Sequence, residues 1–206
     1  DIVKELISRV QKEKRIEVLL NSKVVERDGS YGNYDMTVKN LKTGEKSVHT
    51  IGSMVIAVGN DTYEPEKGEY GWGETPAVMT TQDLEEKLKA GEIKEPPKNP
   101  VFIHCVGSRQ TPGEGNKYCS RVCCSAVTAM QKELREMFPD IRIFSAYKEH
   151  IRPFANKMEE MWRENRQNGV AYLRWVRENP VTVEKAEDSD EAIVTVDDTL
   201  SQETLK

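Results

Sequence analysis

All four cysteines of the chain fall within twenty residues, at Cys105, Cys119, Cys123 and Cys124, in the run HCVGSRQTPGEGNKYCSRVCCSA. Four thiolates in one neighbourhood is the number that an iron–sulfur cluster or a closed zinc site takes. The spacing, C-x13-C-x3-C-C, contains neither the paired C-x2-C knuckles of zinc ribbons nor the C-x-x-C of thioredoxin-type redox sites. A trans peptide holds the adjacent side chains of Cys123 and Cys124 apart, so they do not readily form a disulfide with each other. They can be two ligands of one cluster, or one can be a ligand while its neighbour faces the core. The residues alone leave four readings open. These are a [4Fe–4S] cluster, zinc, thiol–disulfide chemistry and packed inert thiols, free Cys being among the most buried residue types.

The segments around the cysteines predict how they are positioned. An apolar strand at 101–106 leads through a Gly/Pro loop, 107–117, into a helix at about 120–138 and a second strand at 141–146. That order is a βαβ unit. Its first loop lies at the carboxyl edge of the sheet, where a helix amino terminus offers free N–H groups and partial positive charge. Cys105 ends the strand and the other three open the helix, so folding the loop back would gather them. Ser120 as N-cap puts Cys123 at the third helical position, and Arg109, Lys117 and Arg121 would favour thiolate over thiol. The dinucleotide fingerprint G-x-G-x-x-G is missing at this turn, which reads Cys105-Val106-Gly107-Ser108-Arg109. Gly113 and Gly115 in the longer loop are only a weak phosphate signal.

Upstream, Ile2, Leu6, Ile7 and Val10 form a helical stripe, followed by short strands with turn chemistry at Asp28-Gly29 and Thr43-Gly44. The continuous apolar run Met54–Val58 ends at Gly59 and predicts a buried strand. Prolines and glycines mark residues 60–100 as a connector with one helix at about 81–90, capped by Thr80 or Thr81. After the βαβ unit come a helix at about 154–168 and strands at 171–176, 181–185 and 192–196. Phe154, Met158, Met161 and Trp162 share one face of that helix, a core or docking face rather than a cofactor box.

Composition bounds the function classes. The chain has 206 residues, 37% hydrophobic and 32% charged, with a formal net charge of −5. Basic residues alternate with acidic ones, so no nucleic-acid footprint forms. No apolar run reaches the roughly 20 residues of a membrane span. The chain opens on Asp1 without a secretory signal, which reads as an excised segment of a cytoplasmic protein. In a reducing compartment, clustered cysteines bind metal or do redox work more often than they form structural disulfides.

VFIHCVGSR followed by NKYCSRVCCSAV closely resembles the A-type flavoprotein subunit of heterodisulfide reductase and its relatives. Those relatives include the flavin subunits of the quinone-interacting membrane-bound oxidoreductase complex. The resemblance continues in SMVIAVG, similar to the "ATG" strand that closes the FAD domain of thioredoxin-reductase-like flavoproteins, with Val58 where Thr is usual. It extends through YGWGETPAVMTTQDLEEKL and IRIFSAYKEHIRPF. It implies an α/β fold, with a Rossmann-like, thioredoxin-reductase-like nucleotide-binding-type domain at 97–206. Residues 1–96 would be the β-rich tail of a preceding FAD-binding domain plus connector. It implies a fragment of an FAD- and iron–sulfur-dependent oxidoreductase that relays electrons between flavin, clusters and partner subunits. By the same resemblance Cys105, Cys119, Cys123 and Cys124 ligate a [4Fe–4S] cluster. The family's glycine-rich FAD loop and its ferredoxin-type C-x2-C-x2-C-x3-C runs are absent. FAD is therefore expected in the full-length protein and not in this piece, which would be inactive alone. The turn Gly59-Asn60-Asp61 would approach the flavin, giving Gly59 and Asn60 as FAD-binding candidates. The expected partners are other subunits of an electron-transfer complex, with a homodimer also compatible.

His104 is expected on the strand face opposite Cys105, in a structural role, while His150 reads as a solvated loop residue and His49 as unremarkable. The rival to the electron-relay reading is a non-catalytic docking domain whose cysteines bind zinc or stay reduced.

Overall fold

A computed structural model describes residues 2–110 and 115–206. The chain divides into two compact units, one ending at Asp61 and the other spanning Thr62–Lys206. The sequence places this boundary near residue 96. The difference arises because the connector's helix carries apolar residues that need a core, and Leu84, Leu88 and Ile93 find it in the second unit.

The first unit contains α1 (Ile2–Lys12) and an antiparallel sheet of β1 (Ser22–Ser30), β2 (Asn33–Asn40) and β3 (Lys46–Ile51), in that order. Ser30 pairs with Asn33, so the first hairpin turns at Tyr31-Gly32 and not at Asp28-Gly29. Gly29 instead lies inside β1 at φ +84°, where an added Cβ would come within 2.2 Å of the Asn33 carbonyl oxygen. The second turn forms at Thr43-Gly44 as expected. There Asn40 Oδ1 accepts from the N–H groups of Lys42 and Thr43, and Gly44 N donates to Asn40 O.

The run Met54–Val58 is not a buried strand. It has no regular structure, and Val55 is 90% exposed. An apolar strand needs a neighbour for its N–H and C=O groups and a layer over its side chains. Among the described residues no strand pairs with it.

The second unit is built in layers. Its centre is a parallel sheet of β4 (Val101–Ile103), β5 (Phe144–Tyr147) and β6 (Ala171–Arg174), in the order β4-β5-β6. The connections are α3 (Cys123–Met137) and α4 (Asn156–Gln167), which pack together. This is the βαβαβ arrangement of one half of a Rossmann sheet, so the fold class is the expected one. One face of the sheet buries Phe102, Ile143 and Val170 against α3 residues Val127, Met130 and Leu134, with Leu88 of α2 (Thr81–Ala90) alongside. The other face packs Ala146, Leu173 and Trp175 on Val181 and Val196. Those belong to the closing segment that carries the antiparallel strands β7 (Thr182–Lys185), β8 (Ala192–Asp198) and β9 (Glu203–Leu205).

Local signals explain the helix ends. Thr80 caps α2 in a reciprocal box, its hydroxyl accepting from Asp83 N at 3.1 Å while Thr80 N donates to the Asp83 carboxylate at 2.9 Å. The Thr80 hydroxyl also donates to the Asp83 carboxylate at 2.7 Å, and that bond, with the one from Thr80 N, holds the carboxyl below its usual range. Gly91 ends α2 in the left-handed conformation. Within α4 the expected Met158, Met161 and Trp162 face is half-buried, while Phe154 precedes the helix and is exposed. Among the described residues no helix is long and apolar enough to cross a membrane.

Candidate metal centre

The site is a corner at the carboxyl end of β4. The strand stops at Ile103, and Cys105 takes a left-handed backbone conformation at φ +66°, which turns the chain out of the sheet. Such a conformation costs an L-residue roughly 1–2 kcal/mol. Arg109 and Arg121, flanking the loop, do the same at φ +54° and +65°. Strain clustered in this way occurs at sites that the surrounding structure over-determines.

A set of hydrogen bonds closes the excursion between them. Arg109 N donates to Tyr118 O at 3.0 Å and Gln110 N to Asn116 O at 2.9 Å. Asn116 Nδ2 reaches Gly107 O at 3.1 Å. Ser108 Oγ donates to Tyr118 O and accepts from Ser120 N, both at 3.2 Å. These bonds return the chain to its starting point, and Cys119 thereby rejoins Cys105. Gly107 itself lies under the Tyr63 ring with φ +67°. Gly113, one of the two weak phosphate signals, lies outside the described residues. Gly115 packs on the Gln110 side chain.

The helix begins later than the sequence predicts. Val122 occupies the N-cap without a side-chain cap, so Cys123 and Cys124 are the first two helical residues and Ser120 lies before the helix. Ser120 has a different use here, as its hydroxyl hydrogen-bonds the Cys123 sulfur.

All four sulfurs share this corner. Cys105 lies within electrostatic reach of Cys119, Cys123 and Cys124. Cys124 is buried, and the other three are partly accessible. The Cys123 thiol is lowered to about 6, chiefly because the Cys124 thiol donates to its sulfur, with further help from Ser120 and the helix N–H groups. Cys124 moves upward for the same reason, since losing its proton would break that bond. Burial pushes Cys105 up, and Arg109 and Lys148 oppose the shift only in part. Cys119 Sγ accepts from Arg121 N at 3.4 Å.

The cations expected to stabilise thiolate therefore act differently from the sequence reading. Arg109 is ion-paired to Glu149, which dilutes its field at the sulfurs. Lys117 and Arg121 are exposed. Lys148, which the sequence does not single out, is buried against the Trp175 ring at 5.1 Å and donates to Arg109 O. Desolvation lowers its ammonium.

His104 is also more than a packed histidine. It is 4% exposed, with Nε2 2.7 Å from Ser145 Oγ and Nδ1 3.8 Å from Cys124 Sγ. Burial lowers it to about 4, so the ring is neutral. His104 continues the face of β4 that carries Phe102, while Cys105 has already turned out of the sheet. That face is the one that α3 covers, and α3 brings Cys124 onto it. The available signal was the pairing of alternation with a cysteine in the first turn of the following helix.

His150 and His49 are peripheral. His150 is exposed after β5, and His49 lies in β3 with its ring 2.9 Å from Ser47 Oγ. Gly59 and Asn60 lie in an exposed segment without regular structure, and a Cβ on Gly59 would meet nothing within 4 Å.

The donor set fits an iron–sulfur cluster in kind and number, with four thiols at one corner and N–H donors already on two of the sulfurs. Among the described residues, however, no group of three or more His, Cys, Asp or Glu side chains is closed to metal-binding geometry.

No protein-family model matches the chain. It is 32% identical over 191 residues to the A-type subunit of the H2:CoB–CoM heterodisulfide, ferredoxin reductase of Methanothermobacter marburgensis, covering 85% of this chain and 28% of that protein. It is 34% identical over 162 residues to the second A-type iron–sulfur subunit of the CoB–CoM heterodisulfide reductase of Methanopyrus kandleri, covering 73% of this chain and 24% of that protein. Among solved structures, an engineered water-forming NADPH oxidase bound to NADPH aligns with 90% of this chain and 35% of its own. Its TM-score of 0.35 and identity of 10% are too low for shared shape to imply shared function. The chain spans about a quarter of the length of the curated relatives it matches. Over most of its own length it is a homologue of a segment of the A-type subunits of heterodisulfide reductase.

Proposed function

We propose that this chain is the part of an oxidoreductase subunit that holds a [4Fe–4S] cluster on Cys105, Cys119, Cys123 and Cys124 and passes single electrons through it. The observation that carries this reading is the chain reversal at Cys105, which turns the strand-end cysteine back towards Cys119 and the pair that opens α3. Such a cluster, when bound, accepts and donates one electron at a time.

The chain's own residues supply the rest of the function. The left-handed Cys105 and the closed loop set where each sulfur can sit. Arg121 N, Ser120 and the helix N–H groups hydrogen-bond sulfur and stabilise negative charge on it. Lys148 and Arg109 place positive charge beside Cys105. No acid or base is required. In the complete subunit, Gly59 and Asn60 belong to the flavin side, and the partners are the other subunits of the complex.

The test is anaerobic preparation of the complete subunit with Cys123 and Cys124 both replaced by Ser. One cluster's iron and sulfide should be lost while FAD stays bound. Unchanged iron content would refute the ligand assignment. The second reading, a docking domain with zinc or free thiols, draws on the open geometry of the four cysteines. Stoichiometric zinc in place of iron in the unsubstituted protein would establish it.

A further inference from the structure

The sulfur corner is backed by a buried polar seam whose hydrogen-bond directions can be assigned. Gln131 and Ser145 are both fully enclosed, and Gln131 Nε2 donates to Ser145 Oγ at 3.3 Å. The opposite end of the same amide is fixed, because Gln131 Oε1 accepts from Tyr172 OH at 3.0 Å and from Asn165 Nδ2 at 3.4 Å. With Gln131 donating to it, Ser145 has one proton of its own to give, and His104 Nε2 lies 2.7 Å away. Among the described residues His104 Nε2 is the one acceptor bonded to that hydroxyl, so giving the proton to Nε2 satisfies both groups and puts the ring's proton on Nδ1. Nδ1 faces Cys124 Sγ at 3.8 Å. A cysteine sulfur is an acceptor as well as a weak donor, so Cys124 Sγ can take that proton. His104 N donates to Ala146 O at 2.9 Å, which anchors the residue to β5.

We infer that His104 is a positioning residue for the sulfur site, an Nδ1–H donor selected by Ser145 and Gln131 that fixes the Cys124 sulfur and sets the energy of charge there. The effect on potential rests on the reading that Cys124 is a cluster ligand. A hydrogen bond to a ligand sulfur stabilises the more negative, reduced state more than the oxidised one, so it raises the reduction potential. Removing it therefore lowers the potential.

The first test needs no cluster. The chain has three histidines. Histidine-selective 15N labelling with long-range 1H–15N correlation reads the tautomer of the buried one directly. An Nδ1–H tautomer is expected, and Nε2–H would overturn the inference. The second test uses the complete subunit with its cluster. His104→Leu should shift the redox midpoint negative by about 59 mV, a tenfold change in a one-electron equilibrium, with iron content unchanged. His104→Asn, which keeps an N–H near the Nδ1 position, should recover most of the shift. An unshifted midpoint in His104→Leu with iron intact would refute the role. Where His104→Leu does not fold, Ser145→Ala carries the test. It keeps the ring but removes the hydroxyl that selects the tautomer, and an unchanged midpoint and tautomer there count against the inference. A wild-type subunit without iron at these cysteines would sink the proposed function, while the tautomer measurement still decides the donor.

Discussion

The unequal pair Cys123 and Cys124 makes a quantitative prediction for the metal-free chain. With Cys123 lowered to about 6, about 90% of it is thiolate at pH 7, against about 1% for a thiol near 9, a roughly 90-fold gain in reactive form. Thiolate nucleophilicity falls with basicity, at a Brønsted slope of about 0.4–0.5, which takes back roughly 20-fold over three units. The net advantage at pH 7 is only about fourfold, so a rate at one pH decides little. The shape of the pH profile decides more, because alkylation of Cys123 should reach half its plateau near pH 6. Iodoacetamide labelling from pH 4.5 to 9, read peptide by peptide by mass spectrometry, measures it. Cys124→Ala removes the donor that contributes most, so the midpoint should rise towards the ordinary thiol range. The linked stability has a defined sign. A depressed acid stabilises the fold above its unfolded value and loses that contribution as pH falls through the folded one. Stability should therefore rise between about pH 6 and 9 as the pair gives up its first proton. A Cys123 midpoint that stays near 9, or that ignores Cys124→Ala, would refute the assignment of that hydrogen bond.

Two further outcomes follow from the packing. Gly107→Ala should destabilise the corner in chemical denaturation, since its Cβ would lie 2.1 Å from Tyr63 Cγ on a backbone at φ +67°. Adding Tyr63→Ala should relieve the collision but leave the left-handed strain of roughly 1–2 kcal/mol. Leu134 is 1% exposed at the centre of the helix-facing core, so Leu134→Ala should cost about 2–5 kcal/mol, seen as a lower urea midpoint with little change in slope.

The parallel half of the fold was legible because its signals are local and agree. Apolar strand runs, a capping threonine at Thr80 and a periodic apolar face on α3 all point to one arrangement. What misled was context that pattern cannot carry. Met54–Val58 has the composition of a buried strand, but burial is a property of neighbours, and the described residues provide none. Asp28-Gly29 has turn chemistry, yet register places the turn at Tyr31-Gly32, because Gly29 serves close approach to the Asn33 carbonyl. At the site, the βαβ pattern around the cysteines pointed to the turn between β4 and α3. It did not identify His104, Ser145 and Gln131, since a seam drawn from β4, β5 and α3 has no spacing in one dimension.

The same corner shows why sulfur suits this version of the fold. In a dinucleotide-binding unit the first helix begins with glycines, so that backbone can approach a pyrophosphate and N–H groups can bind it. Here Cys105 accepts the left-handed backbone that glycine would adopt freely, and the helix opens without a side-chain cap. Its first-turn donors are met by the Cys123 sulfur, an anion supplied by the chain itself. A phosphate entering this position would meet a thiolate of like charge, and Cys124 beside it is buried. The electrostatics that would hold a nucleotide have been turned inward onto sulfur, and that substitution follows from which residues occupy one strand-to-helix turn.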